Sequence, residues 1–268
     1  MKTRFFTTPI PRLIAHRGFS GRYPENTLPA FQAAVDAGIS YLELDVWLSR
    51  DGHPVVHHDR TCRRTCGDPR AITELSLAEL NNLDAGRYFS VDGGRTYPFR
   101  GLGVAIPSLK EILTAFPETF FTIEVKEDAP RLEAVLLDTI RACGREDAVL
   151  IASAVDQFMV KVRRYCSGIP TGCSRSEAAG FFLAVQKGAF PDRLPAEVLH
   201  LPLYYGGMKL ISPQLVQAAR AIDLEVHVWT VNDACDMKSL FEMGVAGITS
   251  DFPDLLLEVG VEFKDSNL

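Results

Sequence analysis

The sequence predicts an α/β protein of the (β/α)8 TIM-barrel class, and three observations carry that expectation. Short apolar runs recur eight times along the chain, each followed by apolar residues at helical spacing. A length of 268 residues suits one barrel domain spanning 1–268. The first run ends in "HRGFSG", too poor a match to the glycine-rich turn that opens a doubly wound sheet.

Taken in order, "RLIAHR" (12–17) is the first expected strand and 27–37 the first helix. Pro24 fixes the entry to that helix, and Asn26 and Thr27 read as its caps. "YLELDVWL" (41–48) is the second strand, and "VVHH" (55–58) is a further apolar run. Between it and Ile106 the chain is rich in Gly, Arg and Asp, with one clear helix at 76–85. Residues 59–105 therefore read as an insertion lying over the barrel mouth. A helix at 108–116 precedes the strand "FFTIEVK" (120–126). In the helix at 130–143, Leu132, Val135, Leu136 and Ile140 share a face. Strands at 148–154, 169–174, 198–203, 225–231 and 246–251 alternate with helices at 156–166, 176–187, 213–222, 234–243 and 254–259. The tail, 262–268, is expected to fray.

A net charge of −6 argues against a nucleic-acid partner, and an anionic substrate requires the positive charge to be concentrated in one pocket. The composition, 47% hydrophobic and 23% charged with a mean hydropathy of +0.05, is that of a soluble globular protein. No stretch reads as a signal peptide or a membrane span. Six scattered cysteines do not form a disulfide framework, so a reducing cytoplasm is the expected location.

Residues two apart in a strand share a face. Glu43 and Asp45 therefore project together, opposite Leu42, Leu44 and Val46. Glu124 and Lys126 do the same, opposite Ile123 and Val125. The apolar faces can pack on helices, which sends the charged ones into the barrel near the strand ends, where catalytic groups of this fold sit. Three converging carboxylates repel one another, and a divalent cation resolves that repulsion. All-oxygen ligation suits Mg2+ or Ca2+. The plainer alternative is an ion-pair network with lysine and arginine. His16 and the His57–His58 pair supply imidazoles for acid–base work, and Arg17 and Lys126 supply cations matched to phosphate. Together these groups describe a phosphoryl-transfer site.

The ordered motifs AHRG, PENT, AFQAAVDAG, LELDVWLSRDG, PVVHHD, RT, IPSLKEIL, EVK, VWTVN and GITSDFPD resemble those of the glycerophosphodiester phosphodiesterases along nearly the whole chain. The resemblance implies a metal-dependent barrel, with an insertion after the second strand, that hydrolyses glycerophosphodiesters to glycerol phosphate and an alcohol. It implies His16 and His58 as the acid–base pair, His58 aligning because it directly precedes Asp59. Glu43, Asp45 and Glu124 would hold the metal, Arg17 and Lys126 would bind phosphate, and Trp229, inward with His227, would line the pocket. Trp229 as barrel filling and His227 as a core residue remain open, and Asp251 either faces the mouth or caps the last helix.

The chain departs from the family pattern at Cys62 and Thr65-Cys66, where leucine and a threonine pair are usual, and at Ser153-Ala154, where serine-phenylalanine is common. The string His57-His58-x3-Cys62-x3-Cys66 invites a zinc reading but lacks the usual paired-ligand spacing. Two rival functions follow. One is a lysophospholipase D, with Phe181 and Phe182 in 178–185 forming an apolar entrance. The other is a catalytically silent binding barrel, against which the intact set of His16, Glu43, Asp45, His58 and Glu124 argues.

Overall fold

The structure, a computed structural model, describes residues 3–189 and 193–265. Its strands, in chain order, begin with β1 (Arg12–His16), β2 (Tyr41–Leu48), β3 (Pro54–Val56), β4 (Phe120–Val125) and β5 (Val149–Ala152). They continue with β6 (Val198–Pro202), β7 (Tyr204–Tyr205), β8 (Met208–Lys209), β9 (Glu225–Trp229) and β10 (Gly247–Ser250). Seven of them form a curled parallel sheet in the order β5-β4-β2-β1-β10-β9-β6, alternating with helices in a TIM-barrel-like arrangement. Parallel bridges from Ile151 to Thr171 and from Gly172 to Val198 join the two outer strands.

The run expected as a strand at 169–174 is thus reduced to two bridging residues. Pro170 has no amide to donate, and Gly172 lies so close to His200 that a Cβ would sit 2.9 Å from its Nδ1. Thr171 and Gly172 hold the sheet edges together without a regular strand between them.

Thr27 precedes the first helix, α1 (Leu28–Asp36), in extended conformation, but its hydroxyl donates to the Pro24 carbonyl and caps no helical amide. The segment after β3 carries α2 (Arg63–Cys66) and α3 (Leu77–Asn81), so the helix expected at 76–85 is shorter, ending within one and a half turns of its Ser76–Glu79 capping box. This segment has its own small core, where Val55, Cys62, Ile72, Leu75, Leu80 and Ile106 are buried together.

The remaining helices are α4 (Leu109–Ala115), α5 (Leu132–Ala142), α6 (Asp156–Arg163), α7 (Arg175–Gln186), α8 (Pro213–Ala221), α9 (Ala234–Met243) and α10 (Pro253–Asp265). Their apolar faces cover the outward residues of the strands. Leu42, Leu44, Val46, Ile123 and Val125 are buried with Phe31, Leu109, Leu132, Leu136 and Ile140, as the alternation requires. Helix α10 runs past the expected 254–259 into the tail, and 266–268 lie outside the described residues. Phe181 is 2% exposed and Phe182 packs on the same cluster, so these two rings form barrel core and not the apolar entrance considered for them.

Candidate active site

Strand register builds the site. In the β1–β2 pairing His16 lies beside Glu43, and in the β2–β4 pairing Asp45 lies beside Glu124. His16 ends β1 and Glu124 is next to last in β4, and register brings Glu43 and Asp45, midway along the longer β2, level with them, at the end from which catalytic groups of barrel enzymes project. The turn that follows β1 holds Arg17 at φ 55° and Gly18 at φ 80°. A side chain at Gly18 would meet the Ala30 backbone at 2.6 Å, so only glycine lets α1 approach the strand end. Holding Arg17 in the left-handed region costs about 1–2 kcal/mol, and the bond from its amide to Glu43 Oε2 (3.1 Å) helps offset that.

One oxygen from each of Glu43, Asp45 and Glu124 can be chosen so that all lie within 4.8 Å of one another. Lys126 Nζ is 2.7 Å from Asp45 Oδ1 and 2.9 Å from Glu124 Oε2, and Arg17 Nε is 3.1 Å from Asp45 Oδ2. The carboxylate cluster and the ion-pair network weighed as alternatives are therefore both present. Three carboxylates face two cations, and the shortfall falls on Glu43. Burial, reinforced by the charges of Asp45 and Glu124, pushes its carboxyl up to about 8. Asp45 is equally buried, but Lys126 and Arg17 outweigh that burial and hold it below the usual carboxylate range. The trio thus has spare negative capacity and an all-oxygen donor set, which fits a hard divalent cation.

Both histidines expected from the sequence reach this mouth, and each is oriented by a carboxylate. His16 Nδ1 donates to Asp251 Oδ1 at 2.6 Å, which leaves Nε2 on the Glu43 side, 4.0 Å from Oε2. Burial alone would lower the His16 pKa, but the Asp251 bond and the Glu43 charge overcome it and raise the value. His58 Nδ1 donates to Asp59 Oδ1 at 2.7 Å, and its backbone carbonyl accepts from Trp47 Nε1 at 3.0 Å. Since ionised carboxylates only accept, both rings carry their proton on Nδ1 and present Nε2 for proton exchange.

The doubled histidine separates cleanly. β3 runs antiparallel to β2, and His57 is buried with Nε2 donating to the Thr61 carbonyl, while His58 is partly exposed. Cys62 and Cys66 are buried thiols pushed up by burial to about 12 and about 11, poor sources of thiolate for zinc. Among the described residues the carboxylate trio is the one acidic, histidine or cysteine group that could hold an ion.

Trp229 stands at the C-terminal end of β9, 44% exposed, while His227 is fully buried deeper in the barrel against Glu225. Asp251 faces the mouth: besides His16 it accepts from Ser20 Oγ (2.8 Å) and Asn232 Nδ2 (2.6 Å).

Asn26 corrects its expected capping role. It adopts φ 58°, is buried, and donates from Nδ2 to Asp45 Oδ2 at 2.7 Å. Sequence reasoning also passed over Glu25, which joins Arg17 to Arg64. A run of four polar or turn-forming residues after a His-Arg strand end is the signal that could have found both.

The profile of the glycerophosphoryl diester phosphodiesterase family matches residues 16–255. A glycerophosphodiester phosphodiesterase of Caldanaerobacter subterraneus subsp. tengcongensis is 32% identical, covering 92% of this chain and 96% of its own. A lysophospholipase D of Rattus norvegicus is 28% identical over 93% of this chain and 86% of its own. Among solved structures, an Oleispira antarctica phosphodiesterase in complex with the product sn-glycerol-3-phosphate has a TM-score of 0.77 and 26% identity, covering 94% of this chain and 97% of that one.

Proposed function

The chain belongs to the glycerophosphoryl diester phosphodiesterase family, and from that premise we propose how its mouth hydrolyses a glycerophosphodiester to glycerol phosphate and an alcohol. The carrying observation is the pair of carboxylate-oriented imidazoles flanking three clustered carboxylates. One of His16 and His58 takes the proton from the attacking oxygen through Nε2, and the other returns a proton to the departing alkoxide. Asp251 and Asp59 keep both rings in the tautomer this needs. Arg17 and Lys126 attract the anionic phosphodiester, and Arg17 is held for that task by Glu25 and Asp45. Glu43, Asp45 and Glu124 would hold one Mg2+ or Ca2+, which when bound neutralises charge on the phosphoryl oxygens. Trp229 lines the entrance against the glycerol or alcohol group.

We take the architecture as a complete (β/α)8 barrel in one domain, with Thr171 and Gly172 standing for one strand and 59–105 inserted over the mouth. Arg64 of that segment bonds Glu25 beside the first strand, which supports the placement. Six unpaired cysteines support a reducing compartment such as the cytoplasm.

Lysophospholipid hydrolysis is the second reading, and one observation favours it. The β7–β8 ribbon leaves Tyr204, Tyr205 and Met208 exposed, and Leu203 at its base bonds the Trp229 carbonyl. An apolar rim of this kind suits an acyl chain.

The test is release of glycerol phosphate from glycerophosphocholine and other head groups, with Mg2+ and Ca2+ in turn. No turnover across the panel would sink the substrate assignment. Faster turnover of lysophosphatidylcholine than of its deacylated counterpart would move it to the second reading.

A further inference from the structure

We propose that Arg64, carried by α2 of the segment over the mouth, is a positioning residue that sets His58 and Arg17 together. Its guanidinium spans two carboxylates. Nε and Nη2 donate to the two oxygens of Asp59 at 2.7 and 3.1 Å, and Nη1 and Nη2 donate to the two oxygens of Glu25 at 2.7 Å each. The acceptors are shared with the active site. Asp59 Oδ1 also accepts from His58 Nδ1, and Glu25 Oε1 also accepts from Arg17 Nη1 at 3.0 Å. A continuous chain of charge-assisted bonds thus runs His58–Asp59–Arg64–Glu25–Arg17, with Arg64 Nη2 as its midpoint.

An exposed ion pair would ordinarily contribute little. This one is bidentate on both sides, and among the described residues each carboxylate it grips has a single further side-chain partner, which belongs to the mouth. Glu25 is held down at about 2 against strong burial, the Arg64 bond being the largest factor that lowers it and Arg17 the next. The contrast with His16 is informative. Its carboxylate, Asp251, is steadied by Ser20 and Asn232 from the barrel loops, whereas among the described residues the carboxylate of His58 is steadied from the inserted segment. The segment therefore completes the site. A lysine could not replace Arg64, because an ammonium lacks the planar fork that reaches two carboxylates.

This inference rests on the acid–base reading of His58, so its test has one arm that needs no turnover. In protein with 15N-labelled histidine rings, assigned with His58→Gln, the His58 Nδ1 resonance should shift in Arg64→Ala while the His16 resonance stays in place. In the kinetic arm, Arg64→Ala should lower kcat about 30-fold and raise KM about 5-fold, with Asp59→Asn reproducing the first and Glu25→Gln the second. The double variant Asp59→Asn/Arg64→Ala should be no slower in kcat than Asp59→Asn. If Arg64→Ala does not fold, Arg64→Lys serves in its place and should recover neither constant. An unmoved His58 resonance, or kcat losses that multiply in the double variant, would overturn the proposal. A shifted resonance in a protein that turns over no diester would retain it and reject the substrate reading instead.

Discussion

The barrel interior holds a charged cluster at each end, and the two are built on opposite principles. At the floor, Arg12 is buried and fully engaged: Nε and Nη2 grip Glu225 at 3.0 and 2.7 Å, and Nη1 reaches the Thr8 carbonyl, the Thr8 hydroxyl and Tyr41. One cation meets one anion, and the Tyr41 hydroxyl donates a hydrogen bond to the Phe5 carbonyl. At the mouth, three carboxylates meet two cations, one of which is also drawn to Glu25. A balanced buried pair closes a structure, and an unbalanced one leaves a place for a ligand. On the proposed reading, the floor belongs to folding and the mouth to chemistry.

That division can be broken most sharply at the histidines. His16→Ala and His58→Ala should each reduce turnover about 10³-fold while leaving the melting temperature within a few degrees of wild type. Rates near wild type in either variant would remove the acid–base assignment. The reciprocal result is expected at the floor. Arg12→Met leaves Glu225 without its bidentate partner and should cost about 3 kcal/mol of stability, read by denaturant unfolding. Its folded fraction should keep near-normal kcat. A variant of normal stability and low kcat would mean that the floor takes part in the reaction.

The imbalance at Glu43 gives the next, smaller effect. With its carboxyl near 8, Glu43 is mostly protonated at pH 7 when the trio is free of metal. Binding Mg2+ or Ca2+ must expel that proton, so affinity should rise with pH up to about 8. Calorimetry at pH 7 in buffers of different ionisation enthalpy should report net proton release as the ion binds. Release of none would place the ion elsewhere or leave Glu43 out of its ligand set.

How much of this was legible in the sequence follows from the range of each contact. The inward direction of Glu43, Asp45, Glu124 and Lys126 is a matter of period two within one strand, and the fold obeys it. The choice of His58 over His57 came from motif order, and the structure leaves His58 partly exposed on Asp59 while His57 is buried against the Thr61 carbonyl. Asp251 did not, because Ser-Asp before Phe-Pro reads equally as a helix start, and its bond to His16 joins residues 235 apart. Asn26 before Thr-Leu-Pro looks like a cap, and only its left-handed backbone turns the amide toward Asp45. The β7–β8 ribbon could have been read: Gly206 and Gly207, at φ 56° and 81°, sit between apolar runs as a tight hairpin demands. The reduced strand at 169–174 could not, since the crowding at Gly172 comes from His200 on a different strand.

The smallest expected effect sets the two ends of the barrel against each other. His200 lies in the interior beside His227, both of its ring nitrogens without a partner among the described residues, and burial depresses its pKa from 6.5 to about 3. Between pH 6.5 and 3 the unfolded chain therefore binds the extra proton, so this histidine destabilises the fold as the pH falls, by up to about 1.4 kcal/mol per unit. Glu43 has the opposite sign. Its carboxyl is raised from 4.5 to about 8, so without metal the folded state holds the extra proton, and stability is lost as the pH climbs through that interval. Asp251 and Glu25, both held near 2, stay ionised above about pH 4.5 and add no slope there. From pH 4.5 to 6.5, floor and mouth thus partly cancel in the metal-free protein. His200→Leu should remove the floor's share and tilt the profile toward greater stability in acid. Glu43→Gln, or saturating Mg2+, should remove the mouth's share and tilt it the other way. Unfolding free energies at half-unit pH steps distinguish these slopes. Two variants that shift the profile in the same direction would show that the charges at the two ends are not independently set.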